Sequence, residues 1–222
     1  MTTASFSKRS SILKLTPIAL AIFVGFLLGQ DIGPASAQTI VDEWATVKAP
    51  KPPDLKPATL DPKTTALLVL DFLKQTCNAE RRPRCLTSIP KVEALLKLTR
   101  EKGMTVVYSV TSASTPDDIA KELTPREGDP IVKAAADKFY KTDLEKILKD
   151  KGITTVVVVG TAAQGAVLNT ASQAAFRGFK VIIPVDGMSA ETPYYEQYTA
   201  VQLATSPGVG QQTTLTKIDL IQ

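Results

Sequence analysis

Apolar residues in this chain fall in short unbroken runs, separated by segments whose apolar positions recur with a helical period. That alternation sets the architecture. Ala66–Leu70, Val156–Val159 and Val181–Val185 are nearly continuous apolar stretches, the pattern of strands buried on both faces. Between the last two, a segment from about Gly165 to Arg177 carries Ala171, Ala174 and Ala175, small enough to lie close on a sheet, and Gly178 offers the left-handed position that ends a helix. Residues 153–186 therefore predict one β-α-β unit. Upstream, Ser88 and Pro90 read as the start of a helix with Val92, Leu95, Leu96 and Thr99 on one face and Gly103 as its stop, followed by a strand over Met104–Val110. Thr142 and Glu145 have the spacing of a capping box for a helix bearing Leu144, Ile147 and Leu148. Thr192 and Pro193 open a last helix to about Ala204, whose Tyr194, Tyr195 and Tyr198 read as packing residues rather than a pocket lining. Thr213–Ile218 alternate like an edge strand. The sum is a three-layer α/β fold, Rossmann-like, with about six mostly parallel strands and helices on both faces.

Two N-terminal segments depart from this pattern. Lys8, Arg9 and Lys14 precede an apolar run over Leu15–Leu28 and then Ala35-Ser36-Ala37, the three-part layout of a secretory signal peptide cleaved after Ala37. The apolar run is shorter than the ~20 residues a spanning helix needs, and Pro17 interrupts it, so no stable membrane span is expected after processing. The protein is expected to be exported, to the periplasm or the medium. Residues 38–63 crowd Pro50, Pro52, Pro53, Pro57 and Pro62 among lysines and predict an extended arm, with Trp44 either anchoring it or belonging to a loose end. Residues 64–222 form the one folded domain.

The whole chain carries a net charge of +4. Residues 1–37 hold three basic residues and one acid, so processing leaves +2. With no Arg/Lys stripe interleaved with aromatics, a nucleic-acid partner is not expected. The chain has no histidine, which removes the commonest general base and metal ligand and excludes a Ser-His-Asp or Cys-His triad. No metal or cofactor is expected. Cys77 and Cys85 lie in one loop of a chain read as exported, which favours a disulfide over free thiols. The nearby Arg81, Arg82 and Arg84 could attract an anion, although a solvated loop face is the simpler reading.

Chemistry is expected where parallel strands end. Asp71 closes the first strand, Lys133 follows a long irregular stretch over residues 111–132, and Gly160–Gly165 joins a strand to a helix. The segments TTALLVLDF, KAAADKFYKTDLEKILKDKGITTVVVVG and GTAAQGAVLNTASQAAFRGFKVIIPVDGMSA, taken in order, resemble the isochorismatase-like cysteine hydrolases, a group that includes nicotinamidases and carbamoylsarcosine amidases. The resemblance spans about residues 60–200. It implies an Asp general base at Asp71, a charge-stabilising Lys at Lys133, and a cysteine nucleophile at the position held here by Ala166. It also implies a cis peptide at Thr161-Ala162, in the turn to Gly165 that shapes an oxyanion hole. The sequence departs from the family pattern at several points: Leu73 stands where a Gln is common, Lys138 and Lys141 stand where small residues are, and the Asp/His metal ligands of nicotinamidases have no counterpart.

Alanine cannot form a thioester. One expectation is therefore an exported family member without cysteine-hydrolase activity that binds a small molecule or a partner. The alternative is a hydrolase of a small amide or vinyl ether that uses water activated by Asp71 and Lys133, or Cys77 as a substitute thiol. A homo-oligomer is compatible with either.

Overall fold

In the computed structural model of the chain, which describes Met1 and residues 39–222, there are two compact units, Met1–Lys48 and Ala49–Gln222. The predicted signal peptide and its cleavage point lie outside the described residues. The smaller unit contains α1 (Ile40–Glu43), whose first turn is closed by Asp42 accepting hydrogen bonds from the Thr39 backbone N–H at 2.8 Å and hydroxyl at 3.0 Å.

The larger unit runs β1 (Thr65–Leu70), α2 (Pro83–Glu101), β2 (Thr105–Val110), β3 (Ile131–Lys133), α3 (Leu144–Asp150), β4 (Thr155–Thr161), α4 (Leu168–Phe176), β5 (Lys180–Pro184), β6 (Met188–Ser189), α5 (Pro193–Thr205) and β7 (Thr213–Thr216). The strands form one sheet in the order β3-β2-β1-β4-β5-β7, with the short β6 paired to β4, and every pairing is parallel. The chain winds outward from β1 through β2 to β3, then returns to β4 and winds the other way. The topological switch point lies between β1 and β4, where Leu70 sits opposite Gly160.

Alternate residues of the central strands feed two cores. Leu68, Leu70, Val156 and Val158 face Leu144 and Leu148 of α3 and Ala171 and Ala174 of α4. Leu67, Val69, Val157 and Val159 face Val92, Leu95 and Leu96 of α2. Gly160 is required at the switch point, because a Cβ there would lie 2.7 Å from that of Leu70 and 2.8 Å from its carbonyl oxygen.

Three local expectations are corrected. Helix α2 begins at Pro83, not near Ser88; proline suits the first helical position because its missing N–H would have no partner there. Ser88 instead donates to the Cys85 carbonyl, and Pro90 lies inside the helix. The capping box at Thr142 does not form: the Thr142 hydroxyl donates to the Lys138 carbonyl, while Glu145 pairs with Lys149 and Arg177. The arm is also not free along its whole length. Lys56, Ala58 and Leu60 donate backbone hydrogen bonds to Leu215, Leu220 and Gln222, and Ala58 and Leu60 are buried.

Candidate active site

Asp71 leaves β1 at the switch point with φ +53°, a left-handed conformation that Asp tolerates better than most residues. Its backbone carbonyl accepts hydrogen bonds from the Leu73 N–H and the Thr76 hydroxyl, which pin the chain immediately after the strand. The carboxylate is buried, and both oxygens are occupied. Oδ1 accepts from the Ser109 hydroxyl at 2.7 Å, Ser109 being the next-to-last residue of the neighbouring strand β2. Oδ2 accepts from Lys138 Nζ at 2.6 Å. The Lys138 side chain is 0% exposed, and its ammonium also donates to the Ala135 carbonyl at 2.6 Å. Its backbone N–H donates to the Thr170 hydroxyl of α4, tying residues 134–143 to the helix that follows the turn.

Lys133 does not reach this pair. Alternation along β3 buries Val132 and exposes Lys133, and β2 separates β3 from β1. The buried carboxylate takes its countercharge from Lys138, five positions along, on the segment that folds back toward α4. The sequence carried a signal for this: Lys138 stands where the resembling family has a small residue. Ser109 gave no such signal, because its role depends on strand register.

The turn after β4 holds the cis peptide Thr161-Ala162 and continues as a π-helical turn over Ala163–Val167 into α4. Gly165 donates its N–H to the Ala162 carbonyl at 3.1 Å, and Ala166 is buried in the core that contains Leu70 and Phe139. Because β1 and β4 are neighbours, Asp71 and this turn emerge side by side.

A second polar group closes over the turn. Arg82, expected on a solvated face, is buried, with Nη2 2.7 Å and Nε 2.8 Å from Glu191 Oε1 and Nη1 donating to the Thr76 carbonyl. Gln164 of the turn donates to the other Glu191 oxygen at 3.1 Å. Burial would raise the Glu191 carboxyl, but the hydrogen bonds from Arg82 and Gln164 outweigh it and hold the group at about 2. Cys77 and Cys85 form a disulfide, so Cys77 is not a substitute thiol. The segment from Asp71 to Cys85 is thus fastened at Thr76, at the disulfide and through Arg82. The exposed Tyr194, Tyr195 and Tyr198 contact one another by their rings rather than pack inward. Among the described residues, no group of three or more Asp, Glu or Cys side chains is placed to hold a metal ion.

This arrangement offers no thiol for an acyl intermediate, and each Asp71 carboxylate oxygen accepts one hydrogen bond. Comparison with known proteins places it. The chain is 30% identical over 144 residues to a secreted isochorismatase effector, Isc1, of Verticillium dahliae, a match covering 60% of this chain and 76% of that one. It is 27% identical over 144 residues to an N-carbamoylsarcosine amidase of an Arthrobacter species, of whose length it spans only 54%. An isochorismatase-like hydrolase of Alkaliphilus metalliredigens shares the fold with a TM-score of 0.64 at 26% identity, over 70% of this chain and 87% of that one. The isochorismatase domain matches residues 65–216, and the chain belongs to the isochorismatase family.

Proposed function

We propose that this is an exported isochorismatase-family protein that has lost thioester-type hydrolysis and acts by binding a small ligand or a partner. One observation carries the reading: the Asp71 carboxylate pairs with Lys138 and Ser109 beside a turn in which Ala166 stands where the resemblance implies a cysteine. Removing the nucleophile from a working constellation costs on the order of 10⁶ in rate. The Asp71 carboxylate, ion-paired to Lys138 and hydrogen-bonded to Ser109, is held as the charged form by these two donors. The same geometry weakens the water-activating alternative, since Lys133 points to solvent and Lys138 is already paired. Export is supported by the N-terminal sequence pattern and by the secreted relative. Among the described residues, no helix is long and apolar enough to cross a membrane.

The test is hydrolysis of a panel of small amides and vinyl ethers by the protein beside its Ala166→Cys variant. The parent is expected to be silent, and the introduced thiol is expected to alkylate slowly with iodoacetamide because position 166 is buried. Turnover by the parent that disappears in Asp71→Ala overturns the reading.

A further inference from the structure

We propose that the ligand site is a trough lined by α2, β6 and α5, and that it takes a small amphipathic anion. The proposal rests on the binding reading above and gives it a location. Two cavities, of about 320 Å³ and about 440 Å³, share Val185, Met188 and Glu196 in their walls and so form one continuous depression. Both volumes lie in the range of small-molecule sites.

The two ends differ in chemistry. One end is walled by Pro52 and Leu55 of the arm, Pro193 and Ala200 of α5, and Leu215 of β7, and presents mostly apolar surface. This gives the proline-rich arm a role beyond that of a linker, because it supplies one wall. The other end holds two ion pairs, Arg84–Glu196 and Lys91–Asp186. In both, the cation is the outer partner. The Arg84 and Lys91 side chains are 45% and 51% exposed, against 16% for Glu196 and 19% for Asp186. The acids are also tied back to the backbone, since Glu196 accepts the Ala190 N–H at 3.0 Å and Asp186 the Ile218 N–H at 2.9 Å. Arg84 Nη1 has no protein partner among the described residues. A ligand with an apolar body of several carbons and one anionic head would bury the body against Leu55, Ala200 and Leu215 and meet donors from Arg84 and Lys91.

Amide-resolved NMR titration with octanoate, octylamine and octanol tests this. Octanoate is expected to cause saturable shifts at Lys91, Met188, Gln197, Ala200 and Leu215, with octylamine binding at least about tenfold more weakly. Arg84→Gln with Lys91→Gln should erase the preference for the anion while leaving octanol unaffected, and Leu55→Asp should weaken octanoate and octanol together. Absence of saturable shifts, equal response to octylamine, or shifts centred on Asp71 and Ala166 overturns the trough. None of those outcomes bears on the loss of hydrolysis, which the amide and vinyl-ether panel decides separately.

Discussion

The carboxyl end of this sheet holds two sets of ion pairs that use charge in opposite ways. At the switch point, Lys138 and Asp71 are enclosed; Asp71 also accepts from Ser109, and Lys138 also donates to the Ala135 carbonyl. At the trough, Arg84 and Lys91 stand half in solvent in front of acids that are tied to the backbone. A charge in a low-dielectric interior is tolerated only when it is paired, and removing its partner is costly. A charge at the surface contributes little to stability and stays available to a ligand. On the proposed reading, the enclosed pair supports the structure, and the proposed recognition surface lies where solvent still reaches.

The largest expected effect comes from breaking the enclosed pair. Lys138→Ala leaves the Asp71 carboxylate buried without its countercharge and should cost about 3–5 kcal/mol in urea unfolding. The paired change Asp71→Leu with Lys138→Met should recover most of that loss, because it removes both charges rather than one. A cost below about 1 kcal/mol for Lys138→Ala would mean that water reaches the pair, and the contrast with the trough would fail.

The segment fastened over the switch point comes next. Replacing Cys77 and Cys85 by serine opens a short loop and should cost about 2–3 kcal/mol, read as a fall in Tm. The trough should keep its octanoate affinity in the same variant, since neither cysteine lines it.

A smaller effect is expected from pH. Glu191 sits at about 2 in the folded protein, below its ordinary value of 4.5. A depressed carboxyl contributes stability that is complete above about pH 4.5 and is lost as pH falls toward 2. Urea midpoints measured between pH 6 and pH 3 should therefore fall less steeply in Glu191→Gln than in the parent. The Glu191 side chain is 35% exposed, so the difference will be modest.

The sequence revealed the fold where burial is two-sided and the switch point where strands end. The runs at Ala66–Leu70, Val156–Val159 and Val181–Val185 read as buried parallel strands, and β1, β4 and β5 are those strands. β3 and β6, three and two residues long, are too short for any periodicity to show. The end of β1 at Asp71 was legible from the apolar run before it, and the cis peptide at Thr161-Ala162 from the family resemblance. The countercharge of Asp71 was not legible, because Lys138 lies in the irregular segment after β3, where no periodicity says which side chain turns inward. Arg82 shows the same limit from another side: its burial depends on Glu191, more than a hundred positions away.

The smallest expected effect belongs to the trough and tests the comparison from its other side. Arg84→Gln with Lys91→Gln removes two cations whose partners keep backbone hydrogen bonds from Ala190 and Ile218, so neither carboxylate is left bare. Pairs whose cation is half exposed contribute about 0.2–1 kcal/mol each, and the urea midpoint should move little. If the double variant instead lost as much stability as Lys138→Ala, these cations would be holding α2 and α5 together rather than waiting for a ligand. With stability nearly unchanged and octanoate affinity lost, the same two residues would be spare to the fold and essential to recognition, the reverse of Lys138.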